Sequence, residues 1–230
     1  MKQSTIQTKG DIAVFFLMAV LSGFMIGVGG TASLLAAATL GAWGKLVGAS
    51  LFSLGIFAII TFGMKLFTGM VASIPTLRTK ALWQLPLCFL GNAIGVAIVA
   101  LLASQSPIGE TVSTVGSSLI LAKLSAQGSL LKSFCSAILC GWLITLSVWA
   151  PTYAPKVGLS ASFGVLMPIV VFAFCGFDHS VANMLYFYFL GECSWHIIGY
   201  ILLSILGNIV GGVILPLAIL FKEKVAQNHK

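Results

Sequence analysis

Residues Gly176–Met184 read G-F-D-H-S-V-A-N-M and set Asp178, His179 and Asn183 between two apolar runs, Leu159 to Phe177 and Val181 to Leu190. Ionisable groups inside an apolar segment that crosses a membrane are expensive, and the default reading of them is functional. Gly176 and the polar residues after it divide one hydrophobic helix into two pieces. The remaining features of the chain read as support for this break.

Composition places the segment in a membrane. The 230 residues are 59% hydrophobic and 7% charged, with a mean hydropathy of +1.08, far from the balance of a soluble domain. At about 20 apolar residues per crossing, the chain has room for six crossings and no separate soluble domain. The net charge of +7 is spread over short loops and termini and forms no basic stripe, which argues against a nucleic-acid partner. With six spans, Lys2, Lys9, Arg78, Lys80, Lys156, Lys222, Lys224 and Lys230 share one side, while Lys45, Lys123 and Lys132 fall on the other. The positive-inside rule then puts both termini in the cytoplasm and the chain in a plasma membrane such as the bacterial inner membrane. The five cysteines show no ligand spacing and read as small apolar side chains. The first apolar run lacks a small-residue cleavage site and reads as a first helix, not a removable signal.

In chain order, the first span is expected at about 12–38, with G-V-G-G (Gly27–Gly30) permitting close helix contact. The second, about 47–73, opens at Lys65 and L-F-T-G (Leu66–Gly69), and the third, 81–104, holds L-G-N-A-I-G (Leu90–Gly95). A mildly apolar piece, Leu119–Leu124, is too short to span and is placed at the outer mouth. The fourth span, 130–150, ends at Pro151 and Pro155; the fifth starts near Leu159; the sixth, 195–221, holds L-G-N-I-V-G (Leu206–Gly211). The two L-G-N-x-x-G motifs lie 207 − 91 = 116 residues apart, about half the chain. Matching motifs in the third helix and a broken second helix in each half are the signature of an inverted repeat. The expected fold is therefore an all-α membrane protein of six helices. It forms one transmembrane domain over residues 1–230, with three-helix repeats at about 12–104 and 130–221. The two breaks should meet near the midplane, where proteins of this design bind substrate.

These stretches resemble the formate/nitrite transporter family: L-F-T-G in the broken second helix, A-K-L-S (Ala122–Ser125), L-x-V-W (Leu146–Trp149), G-F-D-H-S-V-A-N-M and L-G-N-I-V-G-G. The resemblance implies a homopentamer of aquaporin-like protomers, each with its own pore for small monovalent anions such as formate, nitrite or hydrosulfide. It also implies a central histidine at His179, its threonine partner at Thr68, an asparagine one turn on at Asn183 and a vestibule lysine at Lys123. Apolar constrictions correspond to Phe67 with Phe52 and Ile56 on one side of the histidine, and Phe172 with Ile144 on the other. Four positions depart from the family pattern: Lys65 where an acid is usual, Met70 and Gly141 where asparagine is usual, and Asp178 where glutamate is usual.

The residues carry a chemistry of their own. An anion loses hydration in a low-dielectric layer and tends to neutralise where a proton is on offer. His179, with a reference pKa of about 6.5, can supply a proton or a positive charge, and the Thr68 hydroxyl can donate a hydrogen bond. Half-helices starting at Asp178 or just after Gly69 would turn positive dipole ends toward the path. Asp178 reads as an N-cap or as an electrostatic neighbour of His179. Asn183 reads as a support of the imidazole tautomer or as an ordinary interhelical bond. Lys123 reads as a topology signal or an electrostatic funnel, and Phe52, Phe67 and Phe172 read as filling or as dewetting constrictions. Lys65 snorkels or meets headgroups or a neighbouring protomer; Glu192 and His196 are interfacial, and His229 lies in a polar tail. No nucleophile elbow, zinc-binding helix motif or nucleotide loop occurs, so neither an enzyme nor a cofactor or metal is expected. A neutral-solute pore remains the alternative, although the paired Asn-Pro-Ala signature of aquaporins is missing.

Overall fold

The computed structural model describes residues 8–77, 79–126, 130–158 and 160–228. The expectations placed on Lys2, Arg78, Leu159, His229 and Lys230 lie outside these residues. Every regular element among the described residues is helical. Helix α1 runs Lys9–Thr39 and opens with a capping box in which Thr8 and Asp11 bond each other's backbone amides. It packs against α2 (Gly44–Thr61) and α4 (Gln84–Ser104). Helix α6 (Leu130–Tyr153) packs in the same way against α7 (Ala161–Cys175) and α9 (Trp195–Asn228). The α2–α7 contact joins the two groups. Two short helices, α3 (Phe67–Val71) and α8 (Ser180–Leu190), complete the interrupted segments, and α5 (Gly109–Ala126) lies over α8.

Five helical segments are long and apolar enough to cross a membrane, and α7 with α8, bent by 45° at their break, form a sixth if counted as one span. Close crossing depends on glycine. A Cβ on Gly95 would run into the Val20 carbonyl on α1, and one on Gly211 into the Ile138 carbonyl on α6. The final glycine of each L-G-N-x-x-G motif thus sets a backbone-to-backbone approach.

Both interrupted helices end in the same way. Gly63 and Gly176 take left-handed conformations, φ 65° and 75°. Around each, the Schellman pair of bonds closes the helix: Gly63 N to Ile60 O and Met64 N to Ile59 O, then Gly176 N to Ala173 O and Phe177 N to Phe172 O. The second helix therefore opens at Phe62 and Gly63, earlier than the Lys65 expected from charge, because the stop is conformational and carries no charge.

Three further boundaries differ from expectation. The piece read as Leu119–Leu124 belongs to an 18-residue helix, α5, whose Val112 and Ile120 are fully buried. Helix α6 continues through Pro151 to Tyr153, so this proline does not stop the helix. Helix α9 runs past Phe221 to Asn228 through Lys, Glu, Ala and Gln, which favour helix once the chain is exposed.

Candidate functional site

The two breaks are fixed by the asparagines of the repeated motif. Asn92 on α4 accepts from Phe67 N at 2.8 Å and donates to the carbonyls of Lys65 and Ala19, both at 2.8 Å. Asn208 on α9 accepts from Ser180 N at 2.9 Å and donates to the carbonyls of Asp178 and Ala137, both at 2.8 Å. Each side chain is fully buried. Each satisfies the first amide of a half-helix and a carbonyl of the extended loop before it, groups that would otherwise be orphaned at depth. The loops are also tied to the neighbouring helices by Lys65 N to Met18 O at 3.2 Å and Asp178 N to Ser136 Oγ at 3.0 Å.

Held in this way, the breaks bring Thr68 and His179 together: Oγ1 and Nε2 are 2.9 Å apart, and both residues are about 1% exposed. His179 is itself the N-cap of α8, its Nδ1 accepting from Ala182 N at 3.0 Å. A nitrogen that accepts an amide hydrogen carries none of its own, so the neutral ring holds its proton on Nε2 and donates it to Thr68. The threonine O–H is then left for another acceptor.

Asp178 is not the cap expected of it, because the imidazole of His179 has taken that position. The carboxylate is fully buried and its Oδ1 collects three donors: Lys123 Nζ at 2.7 Å, Asn183 Nδ2 at 3.1 Å and the Tyr200 hydroxyl. Asn183 therefore serves Asp178 and not the imidazole. Lys123, on α5, also donates to Gly176 O at 3.1 Å and Asn183 Oδ1 at 3.4 Å, so this lysine is built into the break.

A cavity of about 140 Å³ lies against this cluster, lined among others by Lys45, Lys123, Phe52, Phe172, His179 and Asn183. The Phe172 ring stacks on the His179 ring at 5.6 Å, and Phe52 meets Phe172 edge-on at 5.5 Å. The expected grouping of Phe52 with Phe67 is thus corrected: Phe52 pairs with Phe172 on the cavity side, while Phe67 turns edge-on to Phe89 at 5.2 Å and stays out of the lining. Ile56 and Ile144 are fully buried in the core and also stay out of the lining. Neither half-helix starts where expected: α3 begins at Phe67, so Gly69 lies within it, and α8 begins at Ser180.

Lys65 is half-buried, its side chain outside the cavity lining; Glu192 and His196 are exposed. Sequence reasoning missed Asn92, Asn208, Ser136, Tyr200 and Lys45 as members of the site. The asparagines had a signal, a polar residue repeated at the same place in matching helices. Among the described residues no group of three or more metal-ligating side chains gathers.

Interrupted helices meeting around a buried polar pair, inside a bundle of apolar helices, define a membrane transport protein. Residues 1–221 match the formate/nitrite transporter family profile, and the chain belongs to that family. It is 32% identical over 192 residues to the nitrite transporter NirC of Salmonella typhimurium, covering 74% of this chain and 67% of that protein. It is 30% identical over 154 residues to the formate channel FocA of Haemophilus influenzae, covering 62% of this chain and 53% of that one. A solved FNT family ion channel superposes with a TM-score of 0.76 at 27% identity, covering 91% of this chain and 90% of its own. A pentameric formate channel with formate bound shares the fold, with a TM-score of 0.74 at 21% identity over 97% of this chain and 100% of its own.

Proposed function

We propose that this protein conducts small monovalent anions of weak acids, formate or nitrite in the first instance and hydrosulfide as the third candidate, through a path that passes the Thr68–His179 pair. The observation that carries the reading is that pair: two polar side chains from opposed helix breaks, buried together beside a cavity that also holds the Lys123 ammonium. A cavity of this size has room for a small anion together with a few waters, since one water occupies about 30 Å³ of liquid. Lys123 attracts the anion, the rings of Phe52 and Phe172 strip its water, and the Thr68 hydroxyl donates to it while Nε2–H of His179 supports the threonine oxygen. Protons take part through this pair when Nδ1 of His179 gives up the Ala182 amide and takes a proton in its place. The path continues past Phe67, with Ile56 and Ile144 as its apolar walls.

The repetition of the Schellman stop, the asparagine clamp and the glycine contact supports two inverted three-helix halves. Likeness to the pentameric formate channel supports assembly as a homopentamer of aquaporin-like protomers surrounded by lipid. The basic residues support an inner-membrane location with both termini in the cytoplasm. The relatives are channels and transporters, which supports a protein without enzymatic turnover.

The test is uptake of formate, nitrite and hydrosulfide into proteoliposomes at several pH values, for the wild type and His179→Asn. The expected outcome is saturable uptake of at least one anion that quickens as pH falls, with this pH dependence lost in the variant. Uptake no faster than in empty liposomes removes the anion reading, and swelling in glycerol instead would favour a neutral-solute pore.

A further inference from the structure

Tyr200 sits in the second turn of α9 and is only 5% exposed. Its ring packs edge-on against Phe187 of α8 at 5.9 Å, and its hydroxyl donates to Asp178 Oδ1. That oxygen is the one that also takes Lys123 Nζ and Asn183 Nδ2. The lysine is equally committed: its three N–H groups meet Asp178 Oδ1, Gly176 O and Asn183 Oδ1 at 2.7, 3.1 and 3.4 Å. An anion in the cavity must draw on an ammonium already engaged by three acceptors, and the strongest competitor is the buried carboxylate. How tightly Asp178 holds Lys123 therefore decides how much positive charge the anion meets.

We propose that Tyr200 is a positioning residue of the anion vestibule: by donating to Asp178 it takes up part of the carboxylate's charge and leaves Lys123 available to a monovalent anion. Both neutral donors to the carboxylate make charge-assisted bonds, and an O–H donor makes the shorter one. The longest of the lysine bonds, to Asn183, is the one an anion displaces first. The inference rests on the anion-channel reading above and adds to it a residue on α9 that does not line the cavity.

The experiment is concentration-dependent formate uptake into proteoliposomes by the wild type, Tyr200→Phe, Asp178→Asn and the double variant. Tyr200→Phe should raise the half-saturating formate concentration about fivefold, the worth of one net hydrogen bond, with the maximal rate unchanged. In the Asp178→Asn background the same substitution should do nothing, because a neutral amide needs no such donor. An unchanged half-saturation in Tyr200→Phe overturns the proposal, as does an equal effect in both backgrounds, which would mean that the ring and not its hydroxyl matters. Should Tyr200→Phe fail to fold, as judged by gel filtration, Tyr200→His, which keeps a ring with an N–H donor, takes its place and should hold half-saturation near the wild-type value; a fivefold rise there also overturns the proposal. A wild type that takes up no formate, nitrite or hydrosulfide removes the channel reading and this inference together, whereas saturable wild-type uptake with an unaltered variant removes only this one.

Discussion

The two nitrogens of His179 are spoken for by different parts of the fold, and this division gives Thr68 its role. Nδ1 caps α8 through Ala182 N and Nε2 faces Thr68 Oγ1, so the ring's position is set by backbone on one side and the pair acts on the other. We predict that Thr68→Val, which keeps the shape and removes the hydroxyl, cuts anion uptake by about tenfold or more, the effect of losing a hydrogen bond to a charged partner worth about 1.5 kcal/mol. Uptake within twofold of wild type would show that the hydroxyl does not meet the anion. Lys123 gives a second test at this scale. Removing one member of a buried ion pair strands the other and costs about 3 kcal/mol or more, and the Asp178 carboxylate is fully buried. Lys123→Ala should therefore lower the melting temperature in detergent, while Lys123→Ala with Asp178→Asn should restore it without restoring half-saturation. Equal melting of the single and double variants would show that the pair does not bear on stability.

At the scale of elements, what matters is how a helix can stop within the membrane and start again. Glycine supplies the left-handed residue, the Schellman bonds close the first piece, and one asparagine satisfies the start of the second. Asn92→Ala and Asn208→Ala should each destabilise the protein by about 2 kcal/mol, since each leaves a buried amide without its acceptor, and each should also reduce uptake by loosening the Thr68–His179 approach. Thermal melting and uptake on the same preparations check this, and a loss confined to one of the two variants would argue against equivalent roles. The break at Gly176–His179 was legible because polar residues interrupt an apolar run. The stop at Gly63 was not, since I-I-T-F-G-M carries no charged residue and the left-handed turn is visible only in the backbone. Of the two readings of Asp178 the cap fails, because local reasoning sees the helix start two residues on, but not Lys123, which is 55 positions away in sequence. Tyr200 was overlooked for a similar reason: a tyrosine near a span's end ordinarily marks the interface, and only packing shows its hydroxyl aimed at a carboxylate.

For the whole molecule, what matters is which end faces which compartment, because the vestibule's lysines work only on the side from which the anion comes. Lys45 lines the same cavity as Lys123 and lies in the first turn of α2, whereas Lys222 and Lys224 lie in the last turns of α9. If the inverted halves and the positive-inside reading hold, these groups are on opposite sides of the membrane and the cavity opens away from the cytoplasm. The exposed native thiols Cys135, Cys175 and Cys193 would first be replaced by serine. On that background Lys45→Cys should react with a membrane-impermeant thiol reagent added to intact cells, and Lys224→Cys only after permeabilisation. Lys45→Cys also removes a charge at the cavity, so it should weaken uptake at low ionic strength more than at high, as screening shortens the reach of an exposed charge to about 10 Å at 0.1 M salt. Labelling in the reverse pattern would invert the topology and make the Lys123 cavity a cytoplasmic entrance, so that the same electrostatics would serve export of the anion.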